Sequence, residues 1–471
     1  MHKSSKRRLS LDTFGSGSPP SPRSQPSKRS RVSNPSPSPY EVPTNLNSSR
    51  IDWPAPKSNI EDARVFLKEC ANNSHLTLIV PDKDADGLSS GKIVHHTLVS
   101  IGLHPEKIKV HMLGKSSSVF QEDEKAKIEA HGATRIIVLD QGSRGGLSLV
   151  NTEGGRVRIL IMDHHESDEF PDEALVVSAC RSPPVVTSSL LTYLVCEPLH
   201  SCTCANDVCA TFALLGLFGD LGPSYVKNWD DNPWPSHLGI VMKRLTKKAL
   251  SDAVSMMNAP RRMADYGVKD AWDAILTSNT PKDISTNATF VEARARVNAE
   301  VERCTHTPPK FTKDGRVAVF RISSGFQVHP VIATRWAGHL KAKNLQFVMV
   351  ANSGYHPSNQ HTNFSCRIIA PMRKLPESER PNIIELLKEY GRKVKDSESF
   401  FERVGGDFAR GHKEASGGSI FNSDFELLMD AMEVGVKAAT SEVSKGSPSK
   451  SKAIDPSQKT KLTAYFPPRK T

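Results

Sequence analysis

Residues Ile161-Met162-Asp163-His164-His165-Glu166-Ser167 set one carboxylate and two imidazoles at the end of an apolar run. A carboxylate is a hard oxygen ligand and an imidazole a borderline nitrogen ligand, so the trio suits a divalent cation. Alone, three ionisable residues after a strand read more often as a solvated loop. Other acidic positions in the chain reverse that balance. Pro81-Asp82-Lys83-Asp84-Ala85-Asp86-Gly87 supplies three carboxylates, Leu139-Asp140-Gln141-Gly142-Ser143 a fourth, and Gly219-Asp220-Leu221-Gly222-Pro223 a fifth. A phosphoester hydrolase working through two divalent ions roughly 3.5–4 Å apart needs a bridging carboxylate and terminal ligands for each ion.

Such residues must converge from the ends of several elements. Leu76-Thr77-Leu78-Ile79-Val80 is a continuous apolar run rich in β-formers, which predicts a strand buried on both faces. It breaks into the first acidic cluster, and a helix is expected over 88–101. Strands over 107–112, 135–139, 157–162 and 175–178 alternate with helices over 58–70, 120–130, 187–195 and 209–217, with Ser58 as the first N-cap. This alternation predicts an α/β fold with a doubly wound parallel sheet. Sheets of that kind bind ligands at the carboxyl ends of their strands. Residues 58–238 form this first domain. Residues 239–306 read as a helical connector, with helices over 240–257, 265–277 and 288–302. Residues 307–436 read as a smaller α/β domain, with strands over 317–322, 346–350 and 364–369 and a Gly-rich loop, Gly411-His412-Lys413-Glu414-Ala415-Ser416-Gly417-Gly418. The tandem His95-His96 falls mid-helix and reads as packing or surface.

The net charge of +11 is carried by the two ends. Residues 1–58 hold ten Lys/Arg against three acids, or +7; residues 437–471 hold eight against two, or +6; the remainder is −2. Both ends are dense in Ser, Pro and Lys/Arg, a composition too poor in apolar side chains to repay ordering. Residues 1–57 are therefore expected to be a disordered basic arm and 437–471 a disordered tail. Lys6-Arg7-Arg8 and Lys28-Arg29-Ser30-Arg31 fit nuclear import signals as well as they fit a solvated arm. Ends of this charge would help hold a polyanion. No apolar run approaches the roughly 20 residues of a membrane span, and no apolar segment follows the basic start, against a secretory signal. The eight cysteines include no Cys-x-x-Cys pair, which points to a reducing compartment. Cys202, Cys204 and Cys209 cluster where a helix is expected, and small apolar packing is favoured over zinc.

Four motifs run in order: Asp-x-Asp-Ala-Asp-Gly at 82–87, Leu-Asp-x-Gly-Ser at 139–143, Asp-His-His at 163–165 and Gly-Asp-x-x-Pro at 219–223. Together they resemble the DHH-family phosphoesterases, which include RecJ single-strand exonucleases, nanoRNA and cyclic-dinucleotide phosphodiesterases, and family II pyrophosphatases. The resemblance spans about residues 76–418. The loop Gly411–Gly417 resembles the Gly-His-x-x-Ala-x-Gly loop of the DHHA1 substrate domain. The resemblance implies two Mn²⁺ ions, with Mg²⁺ the alternative. Asp82 and Asp84 are implied to hold one ion each, Asp140 to bridge them, and His164 and Asp220 to complete the second. It implies Asp163 as a ligand or as an outer partner orienting His164, and His165 as the contact to substrate phosphate. His412, Arg367, Gly411 and Gly417 are implied to bind a phosphate or nucleotide terminus from the second domain; an ordinary ion pair is the competing expectation for Arg367. Two departures stand out: Leu78 occupies a position that is His in many members, and Arg410 one that is usually Gly.

Lys459-Thr460-Lys461-Leu462-Thr463-Ala464-Tyr465-Phe466 resembles a sliding-clamp-binding PIP box, with Leu462, Tyr465 and Phe466 as its anchors. The usual Gln is replaced by Lys459. The expected function is a nuclear, metal-dependent nuclease or short-oligonucleotide phosphodiesterase linked to DNA replication or repair, nuclear or shared with the cytoplasm. Its expected partners are single-stranded nucleic acid and a sliding clamp, with no membrane. The alternatives are a small-molecule phosphohydrolase acting on pyrophosphate, polyphosphate or a nucleotide, and a replication scaffold without catalysis. Aromatic residues make up only 6% of the chain, which argues against a long base-stacking platform.

Overall fold

A computed structural model describes residues 52–201, 203–222 and 233–436, without the side chains of 203–205, 407, 410 and 412. The basic arm, Pro223 of the fourth motif and the clamp-like peptide lie outside the described residues. No helix among the described residues is long and apolar enough to cross a membrane.

The first domain is a five-stranded, all-parallel sheet: β1 (Thr77–Pro81), β2 (Ile108–Val110), β3 (Arg135–Leu139), β4 (Arg158–Asp163) and β5 (Ala174–Ser178), in the order β2-β1-β3-β4-β5. Its helices are α1 (Lys57–Asn72), α2 (Ala85–Ser100), α3 (Glu122–Ala130), α4 (Ser188–Cys196) and α5 (Thr203–Asp220). Alternate strand residues serve opposite faces. Ile79, Ile137, Leu160 and Met162 join α1, α2, α4 and α5 in one core, while Leu78, Val80, Ile136, Val138 and Ile161 join α3 in another. Strand order reverses between β1 and β3, and the crevice at such a reversal is where an open parallel sheet binds its ligand. Asp82 and Asp84 follow β1 there, and Asp140 follows β3.

The connector is α6 (Ser236–Leu245), α7 (Lys247–Met257), a 3-10 turn at Pro260–Arg262, α8 (Val268–Thr277), α9 (Pro281–Thr286) and α10 (Ala288–Thr305). The single helix expected over 240–257 is two helices, broken at Thr246, whose φ is +61°. Trp272 of α8 packs so tightly on Gly91 of α2 that a Cβ there would sit 2.7 Å from the indole. Lys92 Nζ also donates to Leu276 O at 2.8 Å.

The second domain is a six-stranded mixed sheet, order β10-β11-β9-β8-β7-β6, in which only β7 and β8 run parallel. Its elements are β6 (Lys310–Phe311), β7 (Val317–Ile322), α11 (His329–His339), β8 (Phe347–Asn352), β9 (His361–Ile368), α12 (Ala370–Arg373), α13 (Ile383–Gly391), α14 (Ser397–Val404), β10 (Arg410–His412), β11 (Ala415–Phe421) and α15 (Asn422–Ala431). The Gly-rich stretch expected as a loop is instead the antiparallel hairpin β10–β11. Its glycines meet neighbouring strands. A Cβ on Gly411 (φ +106°) would lie 2.6 Å from Ala415 O, and one on Gly417 would collide with Phe364 O of β9. Both domains clasp the turn after the connector's 3-10 segment. Lys115 Nζ donates to Ala264 O (3.2 Å) and Gly325 O (2.8 Å), and Gln327 N donates to Arg262 O (2.8 Å).

Candidate active site

Asp84 is both the N-cap of α2 and a wall of the crevice. Its Oδ1 accepts from Asp86 N (3.1 Å) and Gly87 N (3.3 Å), leaving Oδ2 toward Arg261, 3.9 Å away. Gly87 is required by this tight start, since a Cβ there would lie 2.5 Å from Asp82 O. Asp86 is fully buried, and its two oxygens accept from Ser188 N (2.7 Å) and Ser189 N (3.0 Å) at the N-terminus of α4. A helix N-terminus favours a carboxylate in this way. Asp140 takes a left-handed φ of +61° at the end of β3, and its Oδ1 accepts from Ser188 Oγ at 2.9 Å. Asp220 is the last residue of α5 rather than a residue beyond it, so helix geometry fixes its direction.

These acids converge on one atom. His164 Nε2 is buried and has no hydrogen-bond partner among the described residues. It lies 3.2 Å from Asp220 Oδ2, 3.4 Å from Asp140 Oδ1 and 4.0 Å from Asp86 Oδ2. Three overlapping trios offer ligand atoms all within 4.8 Å of one another: Asp82/Asp84/Asp140, Asp140/His164/His165 and Asp86/His164/Asp220. An orphaned buried imidazole nitrogen facing hard oxygen donors is the set that divalent Mn²⁺ or Mg²⁺ accepts. Asp140 stands in two trios, as a bridging group must.

Asp163 stands in none of these trios. It is fully buried, and all its capacity is spent nearby. Oδ1 accepts from His164 N (2.8 Å), His165 N (3.3 Å) and His165 Nδ1 (2.8 Å), and Oδ2 from Ser143 N (3.2 Å) and Ser143 Oγ (2.6 Å). Of the two expected roles, ligand or outer partner, these bonds favour the outer partner, and the ring that Asp163 holds is that of His165, while His164 is met through its backbone amide. Because an ionised carboxylate only accepts, Nδ1 of His165 carries the proton, which turns Nε2 outward.

The electrostatics follow from this crowding. Burial, then the neighbouring Asp86, Asp84, Asp220 and Asp82, push Asp140 well above the usual carboxylate range. Burial and Asp220 push Asp86 up to about 7. Burial opposes charge on His164, but Asp220, Asp86 and Asp163 outweigh it and raise the ring to about 9. Asp84 moves the other way: burial would raise it, but Arg261 and the Gly87 and Asp86 amides hold it low. Asp163 is also held low, with burial overcome by the His165 hydrogen bond.

Asp84, Asp220, His164 and His165 line a cleft of about 630 Å³ together with Asn258, Arg261 and Arg262. Sequence reasoning missed this arginine pair. Its only local trace is a basic doublet after Pro260, and its meaning appears only when the connector folds across the crevice. Burial and the charges of Arg261 and Arg367, opposed by Asp84, hold Arg262 below the ordinary guanidinium value. Arg367 makes no ion pair among the described residues, against that expectation. Its Nη1 donates to Ser365 Oγ (2.9 Å) and Cys366 O (2.8 Å), and its charge bears on Arg262 rather than lining the cleft itself. His329, buried nearby, is pushed down to about 3 by burial and by Arg367 and Arg262. The tight strand contacts of Gly411 and Gly417 give those glycines a packing role. The His412 side chain lies outside the described residues. Ser188 and Ser189, which hold Asp140 and Asp86, were also missed, being about 50 and 100 residues distant in sequence.

Comparisons with known proteins bear on the first domain and the fold. Residues 77–217 match the family model described as "DHH family, N-terminal domain". The fold is similar to RecJ in complex with Mn²⁺ from Thermus thermophilus (TM-score 0.52, 16% identity, covering 80% of this chain and 54% of that one). It is similar to an exonuclease RecJ bound to manganese (TM-score 0.51, 17% identity, 80% and 93%). It is also similar to the DHH domain of a protein assigned to a family of ribosomal proteins (TM-score 0.55, 13% identity, 81% and 92%). The chain thus spans about half the length of the Thermus protein. No curated protein matches it in sequence.

Proposed function

The chain belongs to the DHH-family phosphoesterases, its DHH domain lying at residues 77–217, and from that premise we propose that it hydrolyses nucleic-acid phosphodiester bonds, as a RecJ-like exonuclease or a short-oligonucleotide hydrolase. One observation carries the reading: a buried His164 Nε2 within 4.0 Å of three carboxylates, in a cleft that two arginines also line. Asp82, Asp84, Asp140, His164 and Asp220 would hold two Mn²⁺ or Mg²⁺ ions. When bound, such ions lower the pKa of a coordinated water and neutralise charge on phosphoryl oxygens.

The chain's own groups do the rest. Arg261 and Arg262 face the non-bridging oxygens of a phosphodiester and, as planar guanidiniums, take them bidentately. His165, with its Nδ1 proton held by Asp163, presents Nε2 to the same phosphate. Its hydrogen bond to Asp163 raises its pKa above the ordinary imidazole value, which favours the ring as a proton donor to an anionic oxygen. Arg367 and the β10–β11 hairpin with His412 stand on the second domain, where a DHHA1-type module would close over a nucleotide terminus. The basic ends favour a polyanion over pyrophosphate. Leu462, Tyr465 and Phe466 support recruitment to a sliding clamp, and the basic clusters at 6–8 and 28–31 support nuclear entry, which together favour a place in replication or repair.

The test is a Mn²⁺-dependent substrate panel: end-labelled single-stranded DNA, RNA di- to pentamers, and pyrophosphate. Asp140→Ala and the double change His164→Ala/His165→Ala should abolish hydrolysis without unfolding the chain. Full activity in either removes the two-ion assignment, and turnover of pyrophosphate alone removes the nuclease reading. Tyr465→Ala/Phe466→Ala should abolish clamp binding; unchanged binding refutes the peptide's role.

A further inference from the structure

A second cavity, of about 430 Å³, adjoins the acidic cleft, and Cys180 lines both. Its walls are the loop after β4, the loop after β5, and the stretch at Asp52, Pro56 and Asn59. Both loops leave the carboxyl ends of parallel strands, the same sheet edge from which the acids project. The cavity is therefore a sideways extension of the cleft.

Its chemistry differs from that of the cleft. Phe170 is half-buried and forms an apolar wall with Pro56 and Val176. The acids at its lip are already matched: Asp168 pairs with Arg181, and Asp52 stands 3.8 Å from Lys57. The wall is also fixed in advance. Gly146 bridges to Pro171, and Asp172 N donates to Gly146 O at 2.9 Å. Ser167 Oγ donates to Glu169 O at 2.5 Å, and Gly145 leaves no room for a Cβ against Glu169. On the other side, Trp53 Nε1 donates to Pro184 O at 3.1 Å and ties the N-terminal stretch to the loop after β5. A wall held this way loses little freedom on binding.

We propose that this cavity is a nucleoside subsite, which takes the sugar and base attached to the phosphate held in the cleft, with Phe170 as the stacking face. The proposal rests on the phosphodiesterase reading above. The volume falls in the roughly 300–1,000 Å³ range of small-molecule sites. Among the described residues, Phe170 is the one phenyl, phenol or indole ring lining either cavity. One base is therefore gripped, not a run of them, which suits a site that works at chain ends or on short oligomers. A single stack of this kind changes affinity by roughly 5- to 100-fold.

The experiment compares a dinucleotide with its abasic analogue, identical in phosphate and sugar, using the full chain and Mn²⁺. Wild type should show a KM for the abasic substrate roughly 5- to 100-fold higher. Phe170→Ala should collapse that ratio toward one by raising KM for the dinucleotide alone, and Phe170→Trp should restore it. Equal KM values in wild type, or a ratio untouched by Phe170→Ala, overturn the subsite while leaving the phosphodiesterase reading intact. Hydrolysis of neither substrate by wild type sinks the phosphodiesterase reading, and the subsite with it.

Discussion

Replacing Asp140 by Asn should stabilise the metal-free protein and destroy its function. The substitution is nearly isosteric. Asn tolerates the left-handed φ of +61° at this position, and its amide oxygen can still accept from Ser188 Oγ. What disappears is a buried ionisable group placed beside Asp86, Asp84, Asp220 and Asp82. The sign follows from proton linkage. In the unfolded chain an Asp ionises near the ordinary 3.8, whereas burial and these neighbours raise folded Asp140 well above that value and folded Asp86 to about 7. Between those limits the folded state holds protons that the unfolded state has lost. Metal-free stability therefore falls as pH rises through this window, by up to about 1.4 kcal/mol per pH unit for each proton retained.

Asp140→Asn removes one such proton from the balance. In EDTA its advantage over wild type should grow from pH 5 to pH 7, and each kcal/mol should appear as about 2–4 °C in Tm for a domain of this size. Mn²⁺ should reverse the ranking. An ion present at 100 times its Kd stabilises wild type by about 2.7 kcal/mol, while a variant without the bridging oxygen gains far less and hydrolyses nothing. Thermal unfolding in EDTA and in Mn²⁺ at three pH values, with a phosphodiesterase assay, gives all four quantities. A variant less stable than wild type in EDTA, or one gaining equally from Mn²⁺, would refute the reasoning.

Asp163→Asn should turn a carboxylate that accepts five hydrogen bonds into an amide that must point donors at donors, costing roughly 1–3 kcal/mol for each buried donor left unpaired. It should also free the His165 ring to lose its raised pKa, so that the pH–rate profile shifts downward and kcat falls on the order of 10²–10⁴-fold while Mn²⁺ affinity changes little; an unmoved profile argues against an orienting role. Arg262→Met should raise the KM of a phosphodiester roughly 10-fold or more, the value of a charge-assisted hydrogen bond, yet leave the free protein as stable or more so, because a desolvated cation beside two others is removed; an unchanged KM takes Arg262 out of the phosphate site. Gly216→Ala should cost roughly 1–3 kcal/mol, since its methyl would strike Ser189 Oγ and Asp86 Oδ1, and it should weaken Mn²⁺ binding by displacing the acids; a variant with wild-type Tm and Mn²⁺ affinity would show that α5 does not brace the site.

The parts of this molecule legible in its sequence are those whose signal is local. Ile136–Leu139 is apolar at every position because β3 is covered on both faces, and its bounds emerge from the run itself. The acids after β1, β3 and β4 are visible because a strand that stops on Asp stands out against its own hydrophobicity. Where partners are distant, the sequence is silent. Nothing near Asp86 announces that its oxygens are held from α4, and nothing near Pro260 announces that Arg261 and Arg262 share a cleft with Asp84, His164 and Asp220. The hairpin β10–β11 was hidden for a different reason. Glycine is depleted in strands, so Gly411 to Gly418 reads as a loop, although Gly417 lies in a strand because β9 comes too close for any side chain. Spacing leaves both roles open for Asp163, because it reveals that three polar residues are adjacent, not which lone pairs are already taken.

The same hydrogen bonds explain how so many carboxylates share one crevice. Two of the acids have donors supplied by rigid backbone: Asp84 by the first amides of α2, and Asp86 by the first amides of α4. Helix N-termini carry partial positive charge, so two helices point their favourable ends into the acidic wall. That compensation stops short of Asp140, whose side chain accepts from a hydroxyl rather than from helix amides and lies 3.4 Å from His164 Nε2. The remaining imbalance is concentrated at the two groups that a bridging carboxylate and its imidazole partner must use. An anionic substrate entering the cleft would meet that excess negative charge on one wall and two guanidiniums on the other. Arg261 and Arg262 can orient a phosphodiester, but they cannot by themselves outweigh the wall opposite. Helix amides thus hold Asp84 and Asp86 in place, and on the proposed reading the arginines would fix the phosphate while a bound cation would offset the acids around it.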